Sequence, residues 1–148
     1  MKESALEELS FSRGVTDCIP TLLGYLSIGF AAGVIEATAG MSLLEIALLS
    51  IFLYDGSAQF IVAGLLAAGA PIASVIMTVF FVNLRHLLLS AAIAPKFAAY
   101  SPIKNFLIGS QLTDETFGVA VSRLTGPVRH LDRWMLGLNM TAHVNWVA

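Results

Sequence analysis

Apolar positions along the chain fall in long blocks instead of the alternation of a half-buried sheet. No charge lies between Cys18 and Ile35, a stretch close to the ~20 residues a helix needs to cross the hydrocarbon layer. This stretch is read as a first span, and Gly29 and Gly33 within it have the four-residue spacing that lets membrane helices pack closely. A second block runs from Leu43 to Leu53 with Glu45 near its outer end, gives way to Tyr54-Asp55-Gly56-Ser57-Ala58-Gln59, and resumes from Phe60 to Ala70. Each half reaches only ~16 Å at ~1.5 Å per residue, so the interruption is expected near the bilayer midplane. A third span, from Pro71 or Ile72 to Ala94, contains Asn83-Leu84-Arg85-His86; a fourth, from about Asn105 to Ser122, contains Thr113-Asp114-Glu115. A fifth begins near Trp134 and is still apolar at Ala148. The pattern predicts an all-α, polytopic transmembrane bundle of about five spans, the second broken near its middle. Residues 1–17 are expected to form a surface segment and 18–148 a transmembrane domain truncated at its C-terminal end.

Composition sharpens this picture. Of 148 residues 57% are apolar and 12% charged, about half the charge of soluble domains, which weighs against both a water-soluble globule and a disordered chain. A net charge of -2 gives no basic footprint for nucleic acid. The lone Cys18 can form neither an internal disulfide nor a multi-cysteine metal site, and is read as a small apolar residue. Basic residues orient the chain: with the N-terminus inside, Lys2, Arg13, Arg123, Arg129 and Arg133 are cytoplasmic and only Lys96 and Lys104 lie outside. The inner turn at Gly69-Ala70-Pro71 has no basic residue and works against this orientation.

Four charges, Asp55, Arg85, Asp114 and Glu115, fall at membrane depth, where each costs ~2.5–3.5 kcal/mol without a partner or water. Counting helical rise from the presumed outer ends sets Arg85 and Asp114 ~14 Å deep and Asp55 ~18 Å deep, so the three are expected to meet. On a continuous fourth helix Gln111, Asp114, Glu115, Gly118 and Ser122 form one polar stripe. Asn83, His86 and Ser90 share a face of the third, with Arg85 pointing elsewhere. Such a constellation serves either a substrate or ion path or simple helix pairing. At the Asp55-Gly56-Ser57 break, a restarting helix offers N–H groups to a carboxylate and Asp55 or Ser57 is a cap; the alternative is an unbroken helix with Asp55 paired to Arg85. His86 is either a proton carrier or a hydrogen-bonded core residue.

Three motifs in order, Tyr54-Asp55-Gly56-Ser57-Ala58-Gln59-Phe60, Asn83-Leu84-Arg85-His86-Leu87-Leu88 and Leu112-Thr113-Asp114-Glu115-Thr116-Phe117, resemble the AzlC-like large subunits of branched-chain amino-acid exporters. The resemblance implies a multi-pass protein of the cytoplasmic membrane, a small AzlD-like membrane partner, and export of branched-chain or related apolar amino acids. Asp55, Gly56, Ser57, Gln59, Asn83, Arg85, His86, Thr113, Asp114 and Glu115 are the candidate residues of the substrate or ion path. Asp55 departs from the pattern, standing where the family more often has a small residue before the glycine. Phe60, Phe80 and Phe81 are candidates for an apolar side-chain pocket. Arg85 either pairs with the Asp114-Glu115 stripe or binds the substrate carboxylate. No nucleotide, cofactor or metal is called for: the chain has no GxxxxGK[ST], HExxH or GxSxG motif, which points to a gradient-driven carrier and away from an enzyme. The alternative is a channel or membrane assembly subunit.

Overall fold

The computed structural model describes residues 7–126 and 128–148. These residues form an all-α fold of seven α-helices, with a 3-10 turn at Ala94–Phe97. Helix α1 (Phe11–Thr38) begins at Ser10, whose side chain caps Arg13, and so starts well before the charge-free stretch and includes part of the expected surface segment. Lys2 lies outside the described residues. Helix α2 (Leu43–Phe52) and helix α3 (Gly56–Ala67) replace the second apolar block, with the break at 53–55. Then follow α4 (Ile72–Ile93), α5 (Pro102–Ser110), α6 (Asp114–Arg123) and α7 (Leu131–Val147). Strands β1 (Glu7–Glu8) and β2 (Val128–Arg129) make a short parallel pair extended by Leu9 N–H to Arg129 O, which ties the start of α1 to the start of α7.

Helices α1 and α7 run side by side in the same direction. Glycines allow this approach: a Cβ on Gly14 would strike the Trp134 carbonyl, and one on Gly137 the Phe11 carbonyl. Of the expected Gly29/Gly33 packing pair, Gly29 lies against Trp146 of α7, whereas Gly33 faces open space. Cys18 is fully buried among apolar neighbours.

The expected continuous fourth span is overturned. Lys104 at the start of α5 binds Asp132 at 2.6 Å, while Arg123 at the end of α6 binds Asp17 at 2.8 Å, the same carboxylate that accepts the Trp134 indole N–H at 3.0 Å. Both ends of the α5–α6 segment therefore lie beside the start of α7, and the chain reverses at Gln111, Leu112 and Thr113. The physical reason is local. Thr113 and Thr116 form a reciprocal capping box, so α6 starts afresh, and Asn139 donates to the Ile108 carbonyl at the end of α5, where the Gln111 N–H turns back to the same oxygen. With no helix through 111–113, Gln111 is cut off from the expected stripe, and only Asp114, Glu115, Gly118 and Ser122 keep a common face, within α6.

The α2–α3 segment reverses in the same way from the opposite end. Helices α3 and α4 are joined by a four-residue turn in which Gly69 (φ +67°) closes a Schellman motif, followed by Pro71. The far tip of α3 meets α4 at Arg85, and α4 continues past Ser90, beside Gly109, to Phe97, whose carbonyl accepts from Asn105. Helix α3 thus runs from mid-depth outward and α2 runs inward to meet it. The two hairpins are related units. Ser101 caps α5 59 residues after Ser42 caps α2, and Asp114 lies 59 residues after Asp55. Each long helix with its hairpin (α1–α2–α3, then α4–α5–α6) repeats the same order in the opposite direction, the inverted-repeat plan.

Candidate functional site

The two hairpin tips meet halfway along the bundle. At the first, Leu53 closes α2, Tyr54 adopts φ +46°, and Asp55 becomes the N-cap of α3, its Oδ1 accepting from the N–H groups of Ser57 (2.9 Å) and Ala58 (3.3 Å) and from the Ser57 hydroxyl (2.7 Å). The φ of Tyr54 is uncommon for a bulky side chain and is held by a stacked contact with His143, centroids 4.3 Å apart. At the second tip the Thr113 hydroxyl caps Thr116 and lies 2.6 Å from the Tyr25 hydroxyl, which also reaches Glu115 at 3.2 Å.

Arg85 joins the tips. Its Nη2 donates to Asp55 Oδ1 and to Ser57 Oγ, both at 2.8 Å, and its Nη1 lies 2.7 Å from Asp114 Oδ2. The Asp55 carboxylate is 1% exposed, so its pair with Arg85 is a charge-assisted bond shielded from solvent. Asp114 is 47% exposed and its pair is correspondingly weaker. His86 Nδ1 is 4.0 Å from Asp55 Oδ2, which has no hydrogen-bond partner among the described residues.

These groups line a cavity of about 350 Å³ together with Ile28, Phe60 and Trp146. Trp146 seals one side by contact with Tyr25 and Gly56: a Cβ on Gly56 would lie 2.8 Å from its ring and 3.1 Å from Ile28. The indole Nε1 of Trp146 and the Nε of Arg85 are likewise buried without partners. The cavity has three carboxylates, Asp55, Asp114 and Glu115, against one arginine, so its balance favours a cationic group. At the α3 N-terminus the Ser57 and Ala58 N–H groups are taken by Asp55 itself and are not free for an incoming carboxylate.

Of the expected site residues, Asp55, Gly56, Ser57, Arg85, His86, Thr113, Asp114 and Glu115 come together here. Gln59 and Asn83 do not. Gln59 is buried and donates to Ser50 at 3.3 Å, tying α3 back to α2, and Asn83 lines a neighbouring recess with His86 and Ser90. Phe60 lines the cavity, whereas Phe80 and Phe81 are 57% and 60% exposed and stack on each other away from it. Glu115 meets Tyr25, leaving Arg85 to pair with Asp55 and Asp114. Sequence reasoning missed Tyr25 and Trp146. Their sole signal was a polar-tipped aromatic inside an apolar run, which packing explains equally well.

Two helices long and apolar enough to cross a bilayer, Phe11–Thr38 and Ile72–Phe97, surround an ionic cavity at mid-depth. The fold and site thus define a helical membrane protein. Comparison with known proteins makes this specific: the AzlC protein family matches residues 20–148, and the chain belongs to that family. It is 29% identical to the inner membrane protein YgaZ of Escherichia coli (strain K12) over 93% of this chain and 57% of the relative. An uncharacterized membrane protein of Archaeoglobus fulgidus is 31% identical, over 93% and 58%. The branched-chain amino acid transport protein AzlC of Bacillus subtilis (strain 168) is 28% identical, over 88% of this chain and 51% of the relative. The chain thus spans between half and three fifths of these relatives. No solved structure matches.

Proposed function

We propose that the chain is part of a secondary transporter of the cytoplasmic membrane that exports branched-chain or related apolar amino acids, working with a small AzlD-like membrane subunit. The observation that carries this reading is Arg85 of a long helix joining two hairpin tips that enter from opposite ends, over a partly apolar cavity. Inverted repeats with a site at their meeting point are the usual framework of alternating access.

In this reading α1 and α4 cross the membrane, α7 runs beside α1 from the same end as far as the cavity, and the two hairpins reach only the midplane. Arg13, Lys96, Lys104, Arg123, Arg129 and Arg133 then share the end at which α1 begins, and the other end has no basic residue among the described ones. The positive-inside rule makes that first end cytoplasmic. Lys96 and Lys104 move inside, and the Gly69 turn moves outside, where the absence of basic residues is expected. The substrate ammonium sits among Asp55 Oδ2, Asp114 and Glu115, its carboxylate takes the Trp146 indole N–H or displaces Asp114 from Arg85, and its apolar side chain lies against Ile28 and Phe60.

Counterflow of radiolabelled leucine in proteoliposomes tests the proposal. Leucine trapped inside is expected to accelerate uptake of labelled leucine, because exchange requires alternating access. Passive ion current without counterflow would show a channel and reject the carrier.

A further inference from the structure

We infer that Glu36 is a proton-binding site whose carboxyl is protonated while the first hairpin lies against α1 and ionises when that hairpin lifts. The inference deepens the transporter reading and rests on it for its functional half. Glu36 is fully buried, and neither carboxylate oxygen has a hydrogen-bond partner among the described residues. It sits in the last turn of α1, where the helix dipole disfavours negative charge. An isolated carboxylate in such a place costs far more than its neutral acid, so the buried form carries the proton.

Among the described residues no nearby charge offers another solution. Tyr25, Gly29, Ala32 and Glu36 share one face of α1. Trp146 of α7 covers this face at Gly29, and α3 packs along α1 beyond it. Helix α3 has no ionisable residue. On α2, Glu45 is turned to its own cap at Ser42 (2.7 Å). On α6, Asp114 and Glu115 lie level with Tyr25, ~16 Å down the axis from Glu36, and Arg123 is bound further down at Asp17. On α7, Asp132 and Arg133 are at the opposite end and His143 is stacked on Tyr54. On α1 itself, Arg13, Asp17, Cys18 and Tyr25 are all on the far side of Gly29.

Helix α3, which packs along α1, starts at Asp55, so one rigid element reaches from the cavity toward the Glu36 end of α1. When the hairpin lifts, the Glu36 O–H bond breaks, its proton passes to water at the end away from Arg13, and the carboxylate stays hydrated. Closing the hairpin again requires that proton back. Substrate and proton thus bias the same two-state element.

Infrared spectroscopy of the purified protein tests the site directly. The wild type is expected to show a protonated carboxyl band that Glu36→Gln removes, and Glu36→Met serves if the glutamine variant inserts poorly. Absence of such a Glu36-dependent band overturns the inference. Leucine counterflow measured against pH, equal on both faces, tests the coupling. Exchange by the wild type is expected to fall as pH rises and that dependence to vanish in Glu36→Gln; an unchanged profile in the variant overturns it. If the wild type exchanges no leucine, the transporter reading fails while the infrared result still judges the proton site.

Discussion

At the scale of single residues, Arg85 carries the largest electrostatic burden. Removing its side chain leaves Asp55 buried without its charge partner. Because Arg85 itself is 39% exposed, the loss should be roughly 2 kcal/mol, below the ~3–5 typical of fully buried pairs. We expect Arg85→Ala to lower the thermal midpoint in detergent and abolish leucine exchange, and Asp55→Asn added to it to restore part of the midpoint but no exchange. A double variant no more stable than Arg85→Ala would remove the pair from the account. Packing gives a second prediction. Gly56→Ala sets a methyl against Trp146 and Ile28 at 2.8 and 3.1 Å, which forces the indole aside and should cut exchange severalfold. Trp146→Phe should restore part of it. Parental activity in Gly56→Ala alone would show that the tryptophan does not shape the site.

At the scale of elements, the two reversals decide the architecture. Thr113→Ala removes the cap of α6 together with the contact to Tyr25, and should cost about 1 kcal/mol of stability or somewhat more. A direct check uses a Cys18→Ala background with cysteines at Lys104 and Asp132, treated with a short bismaleimide. The hairpin predicts an intramolecular cross-link; a through-running fourth span, with those positions at opposite ends, predicts none. The sequence made the first break legible because Asp55, Gly56 and Ser57 interrupt an apolar block with a capping residue and a glycine. The second break lay hidden. Gln111, Asp114, Glu115, Gly118 and Ser122 have a spacing that a continuous helix would also display as a polar stripe, and a capping box at Thr113 is a local signal that does not say which way the chain turns.

At the scale of the whole molecule, membrane orientation separates the two plans. Ala68 and Ala98 are both exposed in turns at opposite ends of the fold. With an impermeant maleimide on intact cells, we expect Ala68→Cys to be labelled and Ala98→Cys to be protected until the membrane is opened. Five full spans with a cytoplasmic N-terminus predict the reverse, so the opposite labelling would overturn the proposed topology. The same experiment reports on Lys96 and Lys104, whose position relative to the membrane follows from the direction of α4.

The sequence by itself determined that this is an all-α membrane chain, where its apolar blocks lie, and that Asp55, Arg85 and Asp114 stand at similar depth. These follow from the length of a helix against the thickness of a bilayer and from the cost of burying charge, both readable one residue at a time. Tertiary structure alone decided that two blocks turn back at mid-depth, that Tyr25 and Trp146 enclose the cavity, and that Glu36 is fully buried. Each of these depends on which distant residue satisfies an open carbonyl, a free carboxylate or an exposed apolar face, and helical periodicity contains no information about partners dozens of residues away.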